Sequence, residues 1–287
     1  MDKSTTFTEF FKAHRSDFDA VLFDIDGTLA LDNVSIPGAA ELISYLDDIN
    51  FPYLYLTNDS CHSAEQKSEY LKKKGVPAHR ERVLSAGHAL KLWSAKHYHG
   101  GKYFLLGSMG NPSYVDLAGI SYTDDPEQVF ECSGVICGEG VYNWQRSIEG
   151  AFNLLLRHPE YPIIVSNPDS YWASMRTKGW GIGSGAITRF ICQVLYDAGK
   201  NVTPVYLGKP SHWIYQCAFP FLKSSFPDLD FSDPKRIIMV GDCLTSDIIG
   251  ANTNGLSSAL VLTGVTSKEL LANAPENQRP DMVFASV

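Results

Sequence analysis

Two carboxylates, those of Asp24 and Asp26, stand two positions apart at the end of an apolar run and just before Gly27. If a strand continues through them, they point to the same face, because side chains alternate along a strand. Such a strand ends at the carboxyl edge of a sheet, where α/β proteins hold their sites. One carboxylate could then attack a substrate while the other transfers a proton, and both could bind a divalent cation. The same residues also suit an ordinary strand end, at which Asp and Gly turn the chain.

Two more segments place polar side chains directly after strand-like apolar runs. Thr57 and Asn58 end one run, where a hydroxyl and the N–H groups of the next turn could bind phosphate oxygens. Lys209 lies between Gly208 and Pro210 after another run, and its charge could neutralise a carboxylate nucleophile and balance a phosphoryl group. As alternatives, the first segment suits a helix N-cap and the lysine is a solvated surface residue.

A fourth segment supplies two further carboxylates, Asp242 after an apolar run and Asp247 at the start of a helical pattern. Acidic oxygens that converge on Asp24 and Asp26 would form a hard oxygen site, which suits octahedral Mg²⁺. The competing interpretation makes Asp242 a turn residue and Asp247 a favourable charge at a helix N-terminus.

The elements that would position these residues are strands and helices in alternation. Short runs rich in aliphatic and β-branched residues predict buried strands at Ala20–Asp24, Tyr53–Thr57, Tyr103–Gly107, Gly134–Gly138, Pro162–Asn167, Pro204–Gly208, Arg236–Gly241 and Ser258–Thr263. Their near-continuous apolarity favours parallel strands that are covered on both faces. Helical patterns lie between most of them, at Pro37–Asn50, Ser63–Gly75, Ser147–His158, Ile187–Gly199 and Trp213–Phe226. The alternation predicts an α/β fold with right-handed crossovers.

The order of the four segments resembles the four motifs of the haloacid dehalogenase superfamily, and the resemblance covers nearly all of the chain. The interval between Thr57 and Lys209 is far longer than a single crossover requires, and it holds its own strands and helices. In the superfamily, an insertion at this position is a cap of the C2 type. The resemblance therefore implies a Rossmann-like doubly wound parallel-sheet core with an inserted smaller α/β cap domain.

The expected domains follow from the position of this insertion. The core takes residues 1–82 and 205–287, and the cap takes residues 83–204. Residues 1–18 form an N-terminal extension outside the usual start of the family. We expect a short amphipathic helix within this extension to pack onto the core.

Four strings narrow the resemblance to the NagD and 4-nitrophenylphosphatase group, which is type IIA. They are Thr57–Ser60, Ser166–Asp169, Gly208–Pro210 and Leu262–Val265. The group commonly has a second Asn where this chain has Asp59. An extra carboxylate near a phosphate pocket could weaken anion binding, or it could cap the following helix and point away.

The resemblance also implies a role for each residue of the four segments. Asp24 would attack phosphorus and form an aspartyl-phosphate, and Asp26 would protonate the leaving oxygen and then activate the hydrolytic water. The phosphoryl oxygens would be held by Thr57, Asn58 and Lys209. Mg²⁺ would bind Asp24, the backbone carbonyl of Asp26 and Asp242, with Asp247 as a ligand or as a partner of the ligands.

The implied activity is Mg²⁺-dependent hydrolysis of small phosphomonoesters, of nucleoside monophosphate, sugar phosphate, pyridoxal phosphate or 4-nitrophenyl phosphate type. Two alternatives stay open. A phosphotransferase or mutase of the same superfamily would share Asp24 and the metal site. A catalytically retired relative would act only by binding, although the intact motif residues count against it.

The cap must decide the specificity. Tyr171 and Trp172 could stack on a ring of the leaving group, and Arg176 could meet a second anionic group. They lie in the stretch 167–176, which relatives form as a loop over the leaving group. The alternative is that the aromatic residues pack in the cap core or at a subunit interface. The glycine-rich stretch 179–185 is expected to return flexibly to the core.

Composition and charge limit the kinds of partner that we expect. A formal net charge of −8 and the absence of a Lys/Arg block argue against nucleic acid, so a small phosphorylated metabolite is the expected partner. No apolar run is long enough to cross a bilayer, and no secretory signal precedes the first motif, so we expect no membrane partner. A cytoplasmic location with reduced cysteines follows. Relatives form homodimers through the cap, and the sequence leaves that state open for this chain.

Overall fold

The computed structural model describes residues 5–31, 34–174 and 179–287, apart from the side chains of Ala173 and Ser174. It contains a six-stranded sheet, here called the core sheet, and a five-stranded sheet, here called the cap sheet. Neighbouring strands are parallel throughout both sheets. Helices pack on both faces of each sheet. The predicted α/β core with an inserted α/β cap is therefore confirmed.

The core sheet carries the sequence motifs on its central strands. From edge to edge its strands are Met282–Phe284, Ser257–Val261, Ile237–Gly241, Ala20–Phe23, Tyr53–Thr57 and Val83–Ser85. Alternate side chains of the four strands from Ile237–Gly241 to Val83–Ser85 enter two apolar layers, one on each face of the sheet. A smaller apolar cluster covers the second face at Leu260 and Val283 of the remaining two strands. The helices of this part are Phe7–His14, Ala39–Asp48, Ala64–Lys73, His212–Ser225, Ile249–Thr253 and Lys268–Ala272. Burial on both faces explains why the strands are apolar without alternation.

The N-terminal helix Phe7–His14 packs against the core sheet, as expected. Its Phe7 and Phe11 side chains are fully buried in the same apolar layer as Phe23. Thr6 and Glu9 form a capping box, in which each side chain accepts the backbone N–H of the other residue. The helix is thus part of the core rather than a free extension.

The cap sheet lies between the two halves of the core in sequence. In spatial order its strands are Val205–Tyr206, Ile163–Val165, Val135–Cys137, Lys102–Leu106 and Ser121–Thr123. The helices that follow or cover these strands are Ala86–His97, Tyr114–Leu117, Glu149–Arg157 and Ser184–Asp197. Separate apolar clusters fill its two faces, so the cap has a core of its own.

Strand pairing shows where the chain passes from one sheet to the other. Val83–Ser85 pairs with Tyr53–Thr57 in the core sheet, and Val205–Tyr206 pairs with Ile163–Val165 in the cap sheet. Each strand begins at the first residue after a junction expected from the sequence, which are 82/83 and 204/205. We propose to divide the domains after these two strands, because the pairing changes there.

Two short antiparallel pairs complete the fold. Ala30–Leu31 pairs with Val34–Ser35, and Tyr171–Ser174 pairs with Gly179–Ile182; we call the second pair the cap hairpin. The expectation of a loop at 167–176 is therefore wrong for Tyr171–Ser174, which is a strand. The glycine-rich stretch 179–185 was expected to return flexibly to the core. Its first residues, Gly179–Ile182, form a strand instead. Across the described residues, no helix is both long and apolar enough to span a membrane.

Candidate active site

Three carboxylates meet at the carboxyl edge of the core sheet. Asp24 directly follows the strand Ala20–Phe23, and Asp242 follows its neighbour Ile237–Gly241. Asp247 lies on the turn of helix after Asp242. One oxygen from each of the three lies within 4.8 Å of the others, and all three residues are buried. Parallel neighbouring strands end at the same edge, which is why motifs far apart in sequence converge here.

Lys209 is the cation of this cluster. Its ammonium donates to Asp24 Oδ1 at 2.6 Å and to Asp247 Oδ1 at 2.7 Å. The residue is only 1% exposed. Burial disfavours the charge on Lys209, but the two carboxylates together raise its pKa well above the ordinary value, so the ammonium stays charged. The predicted convergence of Lys209 with the carboxylates is present in the structure.

One ammonium does not balance three buried carboxylates. Burial raises the pKa of Asp24 to about 7, although Lys209 acts in the opposite direction. Burial and the charge of Asp24 raise the pKa of Asp242 well above its ordinary value. The surplus negative charge and the converging oxygens are the features of a site for a hard divalent cation. Asp24, Asp242 and Asp247 fit such a cation.

Asp242 is fixed by backbone that approaches it closely. Its Oδ2 accepts the N–H of Val265 at 2.6 Å. A Cβ at Gly264 would lie 1.8 Å from Oδ2, and one at Gly27 would lie 2.5 Å away. Gly27 also has a φ of +102°, which favours glycine. The two glycines therefore leave the space that the Asp242 carboxylate occupies.

Asp26 has different neighbours from Asp24. The strand ends at Phe23, so the alternation that would place both carboxylates on one face does not extend through them. The Asp26 side chain is 45% exposed and accepts from the ammonium of Lys67 at 2.7 Å. It also accepts from the Tyr70 hydroxyl at 3.3 Å. The role expected for its backbone carbonyl in metal binding stays a prediction.

The side chain of Asn58 is engaged by the protein. Its Oδ1 accepts the backbone N–H of Lys209 at 2.6 Å, and its Nδ2 donates to the Lys209 carbonyl at 3.0 Å. The same Nδ2 donates to Asp169 Oδ2 at 3.0 Å. Thr57 is also buried, and its hydroxyl accepts the N–H of Asp59 at 3.1 Å. Asn58 thus ties Lys209 and the cap residue Asp169 to the end of a core strand.

Asp59 caps the turn and pairs with a lysine that the sequence did not single out. Its Oδ1 accepts the N–H groups of Cys61 and His62, at 3.0 and 3.2 Å. Its Oδ2 accepts from the ammonium of Lys67 at 2.8 Å. These contacts close the turn before the helix Ala64–Lys73, but the N-cap of that helix is Ser63, so the expected capping of the helix by Asp59 is wrong. Lys67 was missed because a lysine in a helical pattern has the signature of a solvated residue.

A cleft of about 1380 Å³ opens over these residues, between the core and the cap. Tyr171 and Trp172 of the cap hairpin line it and are 52% and 44% exposed. Trp172 lies opposite Gly181, where a Cβ would come within 2.3 Å of the indole ring. Glu139 also lines the cleft and was missed by the sequence reasoning; burial raises its pKa to about 7. Arg176 lies outside the described residues.

Comparison with known families agrees with this geometry. The family described as haloacid dehalogenase-like hydrolase matches residues 21–121, and the one described as HAD-hydrolase-like matches residues 206–287. Together they cover well over half of the chain, including all four motifs. The chain belongs to the haloacid dehalogenase superfamily. The segment between the two matches holds the cap strands Val135–Cys137 and Ile163–Val165 of this haloacid dehalogenase-like hydrolase.

Similar proteins place the hydrolase in the NagD-like, type IIA group. It is 29% identical over 255 residues to the acid sugar phosphatase of Staphylococcus saprophyticus, covering 88% of this chain and 89% of the relative. The structure of the hypothetical protein PH1952 from Pyrococcus horikoshii has a TM-score of 0.77 at 29% identity, over 93% of this chain and 96% of that one. NagD from Escherichia coli K-12 has a TM-score of 0.76 at 26% identity, over 94% and 96%. The resemblance inferred from the motifs is confirmed.

Proposed function

We propose that the protein is a Mg²⁺-dependent phosphatase of small phosphomonoesters that acts through an aspartyl-phosphate on Asp24. One observation carries the proposal: the Asp24 carboxylate is buried at the carboxyl edge of the core sheet, bound by Lys209 and next to Asp242 and Asp247. This environment presents a nucleophile, a phosphate-binding cation and a metal site within one small volume. The names of the relatives, acid sugar phosphatase among them, support the same activity.

The first half of the proposed reaction transfers the phosphoryl group to Asp24. A carboxylate oxygen of Asp24 forms a bond to phosphorus while the bond from phosphorus to the leaving oxygen breaks. Asp26 gives its proton to the leaving oxygen, so that an alcohol departs. Lys209 stays beside Asp24 and offsets negative charge as the phosphoryl oxygens approach. Bound to Asp24, Asp242 and Asp247, Mg²⁺ would neutralise charge on these carboxylates and on the phosphoryl oxygens.

The second half returns the enzyme to its starting state. Asp26 is now a carboxylate and takes a proton from water, whose oxygen attacks phosphorus. The bond between phosphorus and Asp24 breaks, which releases phosphate and regenerates both carboxyl groups. Thr57, at the end of the neighbouring core strand, would orient the phosphoryl oxygens. In this scheme the Asn58 side chain contributes chiefly by holding Lys209.

The cleft is where the leaving group would lie. Its lining by Tyr171, Trp172 and the half-buried Glu139 supports a small organic leaving group that carries a ring or hydroxyls. A small phosphorylated metabolite is thus the proposed partner. A cytoplasmic location stays a prediction from the sequence, and a homodimer through the cap stays an open alternative.

The experiment is a phosphate-release panel with Mg²⁺ over nucleotides, sugar phosphates, pyridoxal phosphate and 4-nitrophenyl phosphate. We expect release from at least one ester, and we expect Asp24→Asn to abolish it while thermal unfolding stays cooperative. Asp228→Asn, at an exposed carboxylate outside the cleft, is the matched control and should retain full activity.

The same panel separates the alternative functions. Phosphate that reaches an added sugar acceptor in preference to water would identify a phosphotransferase or mutase. Failure to release phosphate from any ester would contradict an enzymatic role and favour a binding protein.

A further inference from the structure

We propose that Lys67 is a positioning residue for the carboxylate of Asp26, and that Asp59 fixes Lys67 in this task. The proposal rests on the proposed function, in which Asp26 transfers a proton to the leaving oxygen. A proton donor must be held within hydrogen-bond reach of the atom that it serves. Lys67 lies outside the four sequence motifs, and its contacts hold the Asp26 carboxylate in place.

Lys67 reaches Asp26 from the helix Ala64–Lys73. Its ammonium lies 2.7 Å from Asp26 Oδ2, while the Tyr70 hydroxyl, three residues further along the helix, lies 3.3 Å from Asp26 Oδ1. Residues three apart share one helix face, so a single face of this helix holds both oxygens of the carboxylate. The Asp26 side chain is 45% exposed, whereas that of Lys67 is 5% exposed. A buried ammonium thus restrains a carboxylate that would otherwise sample several rotamers.

Asp59 makes the burial of Lys67 possible. A buried ammonium is costly unless an acceptor of opposite charge accompanies it. Asp59 Oδ2 lies 2.8 Å from the ammonium, and Asp59 Oδ1 is held by two backbone N–H groups of its own turn. Asp59 therefore has a fixed position of its own. The Asp59 carboxylate keeps the buried Lys67 ammonium charged and directed at Asp26 rather than at solvent.

The charge balance around Lys67 supports a positioning role over direct phosphate binding. Two carboxylates already bind the ammonium, in contacts of 2.7 and 2.8 Å. Lys209, in contrast, is bound to Asp24, the residue that receives the phosphoryl group. The two lysines thus have different roles: Lys209 binds the nucleophile, and Lys67 positions the proton donor.

The test compares two substrates that differ in their need for a proton. An alkyl phosphate has a strongly basic leaving oxygen, whereas 4-nitrophenyl phosphate has a weakly basic one. For the alkyl phosphate we expect Lys67→Met to lower kcat/KM, mainly through kcat, by about tenfold or more. The loss should be much smaller for 4-nitrophenyl phosphate, and Lys67→Arg should restore part of it. Lys72→Met, at an exposed lysine of the same helix, is the matched control and should change neither substrate.

A double variant shows whether Lys67 acts through Asp26. In an Asp26→Asn background, we expect Lys67→Met to cause no further loss, because the group that it positions is gone. An equal loss for both substrates, a loss that persists in the Asp26→Asn background, or no loss at all would overturn the inference. These results would leave wild-type activity and the Asp24→Asn defect intact. Failure of the proposed function would instead show as no phosphate release by the wild-type protein.

Discussion

The side chain of Asn58 binds both backbone polar groups of Lys209: it accepts the N–H at 2.6 Å and donates to the carbonyl at 3.0 Å. Asn58 follows a core strand, and Lys209 follows the last strand of the cap sheet, 151 positions further along the chain. This pairing fixes the point from which the Lys209 ammonium reaches Asp24. The active site therefore depends on a contact between two core segments that the cap insertion separates in sequence.

Asn58→Ala should impair catalysis by releasing Lys209. We expect kcat to fall by about tenfold to a hundredfold, because the ammonium loses its fixed position beside Asp24. The free energy of unfolding should fall by about 1 to 3 kcal/mol, since buried backbone groups of Lys209 lose their partner. Steady-state kinetics and denaturant unfolding measure the two effects. Asn201→Ala, at an exposed residue outside the cleft, is the control; an unchanged kcat in Asn58→Ala would contradict this role.

The surplus of carboxylates predicts that Mg²⁺ stabilises the folded protein. At a concentration of one hundred times its Kd, a bound ion adds about 2.7 kcal/mol. Asp242→Asn should remove most of this gain, and it should raise the stability without metal because it relieves repulsion with Asp24. Thermal unfolding in EDTA and in excess Mg²⁺ tests both expectations. A wild-type midpoint that is the same in the two solutions would contradict a metal site at these residues.

His88 should make folding stability sensitive to acid. Its Nδ1 accepts the N–H of Ser85 at 3.1 Å in a capping box, and burial lowers its pKa to about 4 from an ordinary value of 6.5. The unfolded chain therefore binds the proton first as the pH falls. The contribution of the neutral ring is complete above pH 6.5 and is lost as the pH falls towards 4, by about 3 kcal/mol.

His88→Gln isolates this effect, because glutamine serves a capping box but does not titrate. We expect the variant to lose less unfolding free energy than the wild type between pH 7 and pH 4.5. Denaturant unfolding at the two pH values measures the difference. Equal losses in both proteins would show that His88 is not the responsible group.

The residues that the sequence predicted well are those at the ends of buried strands. Asp24, Asp242 and Lys209 each follow an apolar run. Parallel pairing in the core sheet brings the strand ends at Asp24 and Asp242 together, whatever their distance along the chain. Lys209 follows a strand of the cap sheet, and its backbone contacts with Asn58 hold it at the same edge. Lys67 could not be predicted in the same way. Its burial depends on Asp26 and Asp59, which lie in other segments, and nothing local distinguishes it from a solvated lysine.

The function of each polar side chain was harder to predict than its position at the active site. Asn58 was assigned to phosphate, but its amide is occupied by Lys209 and Asp169. An amide side chain has both a donor and an acceptor, so it can bind either phosphate or backbone groups. Only the hydrogen-bond distances in the structure distinguish these two roles. The cap hairpin was missed because Gly181 opposite Trp172 removes the alternation that marks a strand.

The central claim is that Asp24 carries the phosphoryl group, and detection of that group on the enzyme tests it most directly. Asp26→Asn should slow hydrolysis of the intermediate more than its formation from 4-nitrophenyl phosphate, so phosphorylated enzyme should accumulate. Acid quenching followed by peptide mass spectrometry should place one phosphoryl group on Asp24. An Asp24→Asn and Asp26→Asn double variant should carry none. A burst of 4-nitrophenol without covalent phosphate, or phosphate on another residue, would contradict the account.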